Sequence, residues 1–166
     1  MKSQTSLDYV RNCMLLLVPI MLWNMLFSAN LPRAFSPDVF WKDIPAFLAA
    51  GENFFRLVIF IVPLLMPLRI RTTEQKTGLA LYIIGTTLYY LAWLALMIFP
   101  SSAWSLSAAG FLAPAYTPLI WLVGIGLMGS SLYFSSPYRS WMYISLSIIF
   151  ISFHISHTLL VFSRTL

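Results

Sequence analysis

The chain has 166 residues, of which 60% are hydrophobic and 9% charged, whereas an ordinary soluble domain is about 25% charged. This excludes a soluble globular domain and leaves one compact membrane domain, with room for about five spans of roughly 20 residues each. The formal charge of +5 does not imply nucleic acid as a partner, because Lys and Arg in a membrane chain report which loops stay in the cytoplasm.

Cys13 is the one cysteine, so no intrachain disulfide can form and the redox compartment is not readable. The first apolar run is too long for a signal-peptide core and has no small-residue cleavage site after it, so it reads as a retained span.

The predicted fold is an all-α bundle of five transmembrane helices. Span one covers about 9–29, with Pro19 inside and Trp23 and Asn24 in its second half. Residues 30–45 form a polar connector in which Ser36-Pro37-Asp38 is a helix start: an N-cap, a proline at the first helical position and an acid in the first turn. The short helix that follows carries Val39, Phe40 and Trp41 and is expected at the bilayer surface, as a connector or as a lid over a pocket.

Span two, about 46–68, carries Gly51-Glu52-Asn53-Phe54-Phe55-Arg56, then Pro63 and Pro67, which should bend its end. Span three, about 77–99, places Gly78, Tyr82, Gly85, Tyr89 and Trp93 on one stripe. Span four, about 111–134, has Pro114 and Pro118 near its start, and Gly126 with Ser130 as a small-xxx-small contact. Span five covers about 141–162. No internal repeat supports an inverted-repeat transporter.

The charged turn with Arg69, Arg71 and Lys76 is expected in the cytoplasm, together with Lys2, Arg11 and Arg139. Arg33, Lys42 and Arg164 then fall outside, giving an N-in, C-out topology, and a bacterial inner membrane is the expected location.

Ionisable groups within a span are costly and mark function by default. Glu52 and Arg56 share one helix face, with Asn53 beside them. From the outer end of span two they lie roughly 10 Å and 16 Å deep, and His154 lies roughly 20 Å up span five with His157 one turn further out. Asn24, Tyr89 and Trp93 reach similar levels. The expected site is therefore an outer-half pocket with Glu52, His154 and His157 as candidate catalytic groups and Arg56, Asn53, Asn24, Tyr89 and Trp93 as ligand contacts. Tyr89 and its stripe need hydrogen-bond partners, for which Glu52 or the histidines could serve. On span five, Ser145, Ser152, Ser156 and Ser163 form a second face expected to be a helix contact, making that span central.

His154, His157 and Glu52 form a two-His, one-carboxylate set, but Arg56 competes for the carboxylate, so no metal is expected. Haem does not fit two histidines on one helix, and no cofactor can be named. A Ser-His nucleophile is disfavoured, because Ser156 lies on another face from the histidines. Glu52 to Arg56 is similar to the second half of the Glu-Glu-x-x-x-Arg motif of CPBP-type intramembrane proteases, and Phe150 to His154 resembles their Phe-x-x-x-His motif. Gly51 stands where that family has its first glutamate, and its later histidine/asparagine motif is missing; no membership is assigned.

Three functions compete. In the first, the pocket binds or processes a small polar-headed or lipid-like ligand. In the second, the chain is a non-catalytic membrane subunit or partner-binding module whose polar cluster locks the bundle. The third is a small proton-linked transporter. Membrane lipid is the expected partner, with other membrane subunits or a homo-oligomer as further possibilities.

Overall fold

The computed structural model describes residues 11–165, and among these every regular element is helical. The expected start of span one at residues 9 and 10, and Lys2, lie outside the described residues. Four helical runs are long and apolar enough to cross a membrane: Cys13–Asn30, Ala46–Leu65, Thr73–Ile98 and Ser140–Thr165. They expose large apolar side chains such as Met25, Phe47, Phe54, Ile83 and Leu159 to the surroundings. Lipid is the solvent in which such surface is stable, which marks the chain as a membrane protein.

The first run opens as a tight 3-10 turn, Cys13–Leu16, and becomes α-helical in α1, Val18–Phe27. Pro19 sits in the first turn of α1, where its missing N–H leaves no extra carbonyl unpaired. The connector then makes the short helix α2, Pro37–Phe40, with Asp38 in its first turn. Ser36 stands at the N-cap position, but its hydroxyl donates to the Arg33 carbonyl at 2.7 Å instead of capping the helix.

Helix α3, Ala46–Ile61, tightens into a 3-10 turn at Val62–Leu65, where Pro63 enters. Pro63 cannot donate to the carbonyl of Ile59. The hydroxyl of Tyr143, fully buried, donates to that carbonyl instead at 3.1 Å. The chain then turns back along the start of the first run: the Cys13 N–H donates to the Met66 carbonyl and the Leu68 N–H to the Arg11 carbonyl, both at 2.9 Å.

Helix α4, Thr73–Ile98, starts on a capping box between Thr72 and Gln75, which satisfies two of its free N–H groups. The fourth expected span is broken into α5 (Ala108–Phe111), α6 (Ala113–Tyr116) and α7 (Pro118–Met128). Pro114 and Pro118 each sit in a first turn and impose the breaks. The helix ends at Met128, short of the expected 134, with Gly129 after it. This segment still runs the length of the bundle. Phe111 packs on Phe162 at one end (5.3 Å between ring centroids), and Ser130 accepts a hydrogen bond from Gln75 at the other, 3.3 Å.

Helices α4 and α7 meet through glycine. A Cβ on Gly78 would lie 2.8 Å from the Gly124 carbonyl oxygen, and one on Gly85 would lie 2.5 Å from the Trp121 nitrogen. Gly124 in turn faces the backbone of Gly78 and Tyr82 at 2.6 Å. The close approach thus uses Gly78, Gly85 and Gly124. The expected Gly126–Ser130 pair divides its labour: Gly126 abuts Ile144, and Ser130 is exposed.

The last helix, α8, is Ser140–Thr165. Its serine face is not a helix contact: Ser145, Ser152, Ser156 and Ser163 are all exposed. The hydroxyls of Ser152 and Ser156 donate to Ile148 and Ser152 carbonyls of their own helix at 2.9 and 2.8 Å. This self-satisfaction lets serine face an apolar surrounding without a partner helix. The most enclosed segment is α5–α7, where residues 110–115 are all buried. It is central where α8 was expected to be.

Candidate functional site

Glu52 lies two turns into α3, about 9 Å from its start at 1.5 Å per residue. Its side chain has no exposure to the surroundings. Three side chains satisfy it. Arg56, one turn on, pairs through Nη2 with Oε1. His154 Nδ1 lies 2.9 Å from the same oxygen, and His157 Nδ1 lies 2.5 Å from Oε2. The i,i+3 spacing of the histidines turns both rings toward α3. Gly51 makes room for α8 at this level, because a Cβ there would lie 2.6 Å from Phe153 Cζ.

The other nitrogen of His157, Nε2, is 2.8 Å from the carbonyl oxygen of Phe40. The ring is held between Phe40 and Trp41, with centroids 4.2 and 4.6 Å away. His154 stacks on Phe150 at 5.6 Å and an interplanar angle of 10°. The Arg56 guanidinium carbon lies 5.7 Å from the Trp41 ring and 6.0 Å from the Phe150 ring, at the reach of cation–π attraction. Helix α2 is therefore tied to the cluster. Arg164 adds a second tie, donating to the Lys42 and Asp43 carbonyls at 2.9 Å each. Between them Asp43 takes φ 52°, a left-handed conformation that aspartate tolerates better than most residues.

Beside the cluster lies a cavity of about 300 Å³. Asn24, Arg56, Tyr89, Trp93 and His154 line it, with Phe35 and Phe40 from the connector and Trp121 from α7. Four of the five expected ligand contacts therefore share one wall. Asn53 does not: it is exposed on α3 and is not among the lining residues, since three residues' rotation from Arg56 carries it round the helix. Glu52 and His157 stand behind the cavity, with His154 and Arg56 bridging to it.

The tyrosines of α4 find other partners than Glu52 or the histidines. Tyr89 donates to Asn24 Oδ1 and Tyr82 to the Leu16 carbonyl, each at 2.7 Å. Both therefore tie α4 to the first run. Trp121 is buried with no hydrogen-bond partner for its indole nitrogen among the described residues.

No group of three metal-ligating side chains is arranged to hold an ion among the described residues. Both Nδ1 atoms point at opposite oxygens of one carboxylate, each within hydrogen-bond distance, rather than at a shared point. The participants missed from sequence are Phe40, Trp41, Phe150 and Trp121. A backbone carbonyl as partner to His157 has no sequence signal, whereas the Phe150-x-x-x-His154 spacing, one helical turn, could have placed both on a common face.

Comparison with protein-family models, curated proteins and solved structures finds no match. The functional reading rests on the geometry of the cluster and cavity.

Proposed function

We propose that the protein holds a small polar-headed or lipid-like ligand in the cavity beside Arg56, in the outer half of the membrane. The reading takes the chain as a five-pass bundle, N-in and C-out, with α2 as an interfacial helix. The end-to-end course of α5–α7 supports five passes, and the basic turn at Arg69, Arg71 and Lys76 supports the orientation. A bacterial inner membrane is the proposed location.

The observation that carries the reading is convergence. Asn24, Arg56, Tyr89, Trp93 and His154 come from four helices to one cavity wall that is otherwise apolar and aromatic except for Thr158, whose hydroxyl donates to the His154 carbonyl at 2.8 Å. A few polar groups in an apolar cleft are the usual make-up of a small-molecule site, and the volume falls at the low end of the ordinary range. Glu52 fixes Arg56 and His154 from behind; it is a positioning residue and Arg56 is the ligand contact. Helix α2, tied through the Phe40 carbonyl, roofs the cavity.

A second reading also has a specific observation behind it: both oxygens of Glu52 are already satisfied, so the cluster can serve to lock α3 to α8 in a non-catalytic membrane module. Glu52→Gln, Arg56→Gln and His154→Ala separate the two readings. The pocket reading expects the Arg56 and His154 variants to assemble as the parent does but to lose lipid that co-purifies with it, measured by native mass spectrometry. Loss of assembly in every variant would decide for the lock. Unchanged lipid content in well-assembled variants would sink the pocket.

A further inference from the structure

A count of protons in the cluster fixes the charge that the cavity presents. A carbonyl oxygen can only accept, so the 2.8 Å contact of His157 Nε2 with Phe40 requires a proton on Nε2. At 2.5 Å, Nδ1 and Glu52 Oε2 cannot face each other with lone pairs alone, so a second proton lies between them. Whichever atom holds it, the pair of Glu52 and His157 is neutral: carboxylate with imidazolium, or carboxylic acid with imidazole. His154 needs only one proton, on Nδ1, to donate to Oε1. The charge of Arg56 is therefore not cancelled by the carboxylate it touches.

We infer that the cavity selects a monoanionic headgroup, a phosphodiester or a carboxylate, with Arg56 as its counter-charge. This rests on the pocket reading above and names the class of ligand it takes. None of the described residues lining the cavity is acidic, so nothing in its wall neutralises Arg56. One further donor stands in that wall without an acceptor, the indole N–H of Trp121, and a buried donor without an acceptor is costly unless a ligand or water supplies one. An uncancelled cation in a membrane interior is costlier still. An anion answers both demands, and the apolar remainder of the wall suits the chain attached to it.

The test is competitive binding of phosphatidylglycerol, a monoanion, and phosphatidylcholine, a zwitterion, to the whole protein by native mass spectrometry, with inorganic phosphate as a soluble competitor. The wild type is expected to hold phosphatidylglycerol about tenfold more strongly, and Arg56→Gln to abolish that preference. Arg56→Lys, which keeps the charge, is expected to retain most of it, and serves if the glutamine variant does not fold. Glu52→Gln is the decisive arm. The amide can accept from Arg56 and His154 and donate to His157 Nδ1, so the extra proton leaves together with the carboxylate charge: both lipids bind more weakly as Arg56 loses its charged support, but the ratio between them stays within about twofold of the wild type. A rise in anion preference of about tenfold in Glu52→Gln would mean that Glu52 cancels Arg56 in the wild type, and would overturn the inference. Equal binding of the two lipids overturns it too, while leaving the pocket standing. If neither lipid binds but inorganic phosphate does, the anion site holds with a soluble ion as its source and the lipid-like reading fails. If nothing binds, both fail.

Discussion

Helices α4 and α7 are joined by the absence of side chains, whereas α3 and α8 are joined by a carboxylate. In the first pair, Gly78, Gly85 and Gly124 bring backbones into contact, and Tyr82, Trp93 and Trp121 pack around the seam. In the second pair, Gly51 gives α8 access, but the join is Glu52 with its two histidines and Arg56. The first seam is governed by shape and is dispersed over about two turns of helix, from Gly78 to Gly85. The second is concentrated on two oxygen atoms, and its satisfaction depends on residues from α2 and α8 being in place together. A bundle with an apolar seam on one side and a polar one on the other can keep its fold fixed at the first while the second serves a site.

The contrast can be broken at the polar seam by Glu52→Ala. This leaves the fully buried Nδ1 proton of His157 and the partly exposed Arg56 charge without their acceptor, and about 3 kcal/mol of stability should be lost. Thermal unfolding in detergent measures it, and Glu52→Gln should recover most of the loss because it keeps each hydrogen bond. The apolar seam is broken by Gly85→Val, whose side chain would meet the Trp121 backbone. Overpacking of this kind costs about 1–3 kcal/mol or more, and the conservative rescue that works for Glu52 has no counterpart there: Gly85→Ala should also be destabilising.

A smaller effect is expected from Tyr143→Phe, which orphans the Ile59 carbonyl freed by Pro63. The loss should be about 1–3 kcal/mol, read from the same unfolding curve, and Pro63→Ala in that background should restore part of it by returning an N–H to that carbonyl. The smallest effect sharpens the comparison from outside both seams. Ser152→Ala with Ser156→Ala on the exposed face of α8 should change stability by less than about 0.5 kcal/mol each. A large loss there would reveal a partner surface that the exposed serines do not suggest.

How much of this was legible in the sequence depends on the kind of signal. Glu52, Arg56, His154 and His157 were brought together by counting depth from opposite ends of two antiparallel spans, which works because helical rise is constant. Tyr89 and Asn24 met for the same reason. Asn53 failed because the count fixes depth but only coarsely fixes direction round the helix: one shared face at i,i+3 still spans tens of degrees. The serine stripe failed in a related way. Periodicity showed that the serines share a face but not whether that face is covered, and a serine bonded to its own helix needs no cover. The glycines Gly78 and Gly85 were visible as a stripe, yet their partner Gly124 went unread, because the Gly126–Ser130 spacing fitted the same pattern and the sequence does not rank the two. The breaks at Pro114 and Pro118 came from tertiary choice: proline also sits inside the first run and α3's end, where it is absorbed by a first turn or by the Tyr143 hydroxyl.

The most direct test of the pocket is a high-resolution density map of the whole protein determined in a native-like lipid bilayer. The account predicts an elongated feature entering the cavity, with its polar end within hydrogen-bond reach of the Arg56 guanidinium and its apolar part against Phe35, Phe40 and Phe60. A closed cluster with Arg56 turned away from the cavity, and only water or nothing within it, would contradict that claim and leave the lock between α3 and α8 as the role of Glu52.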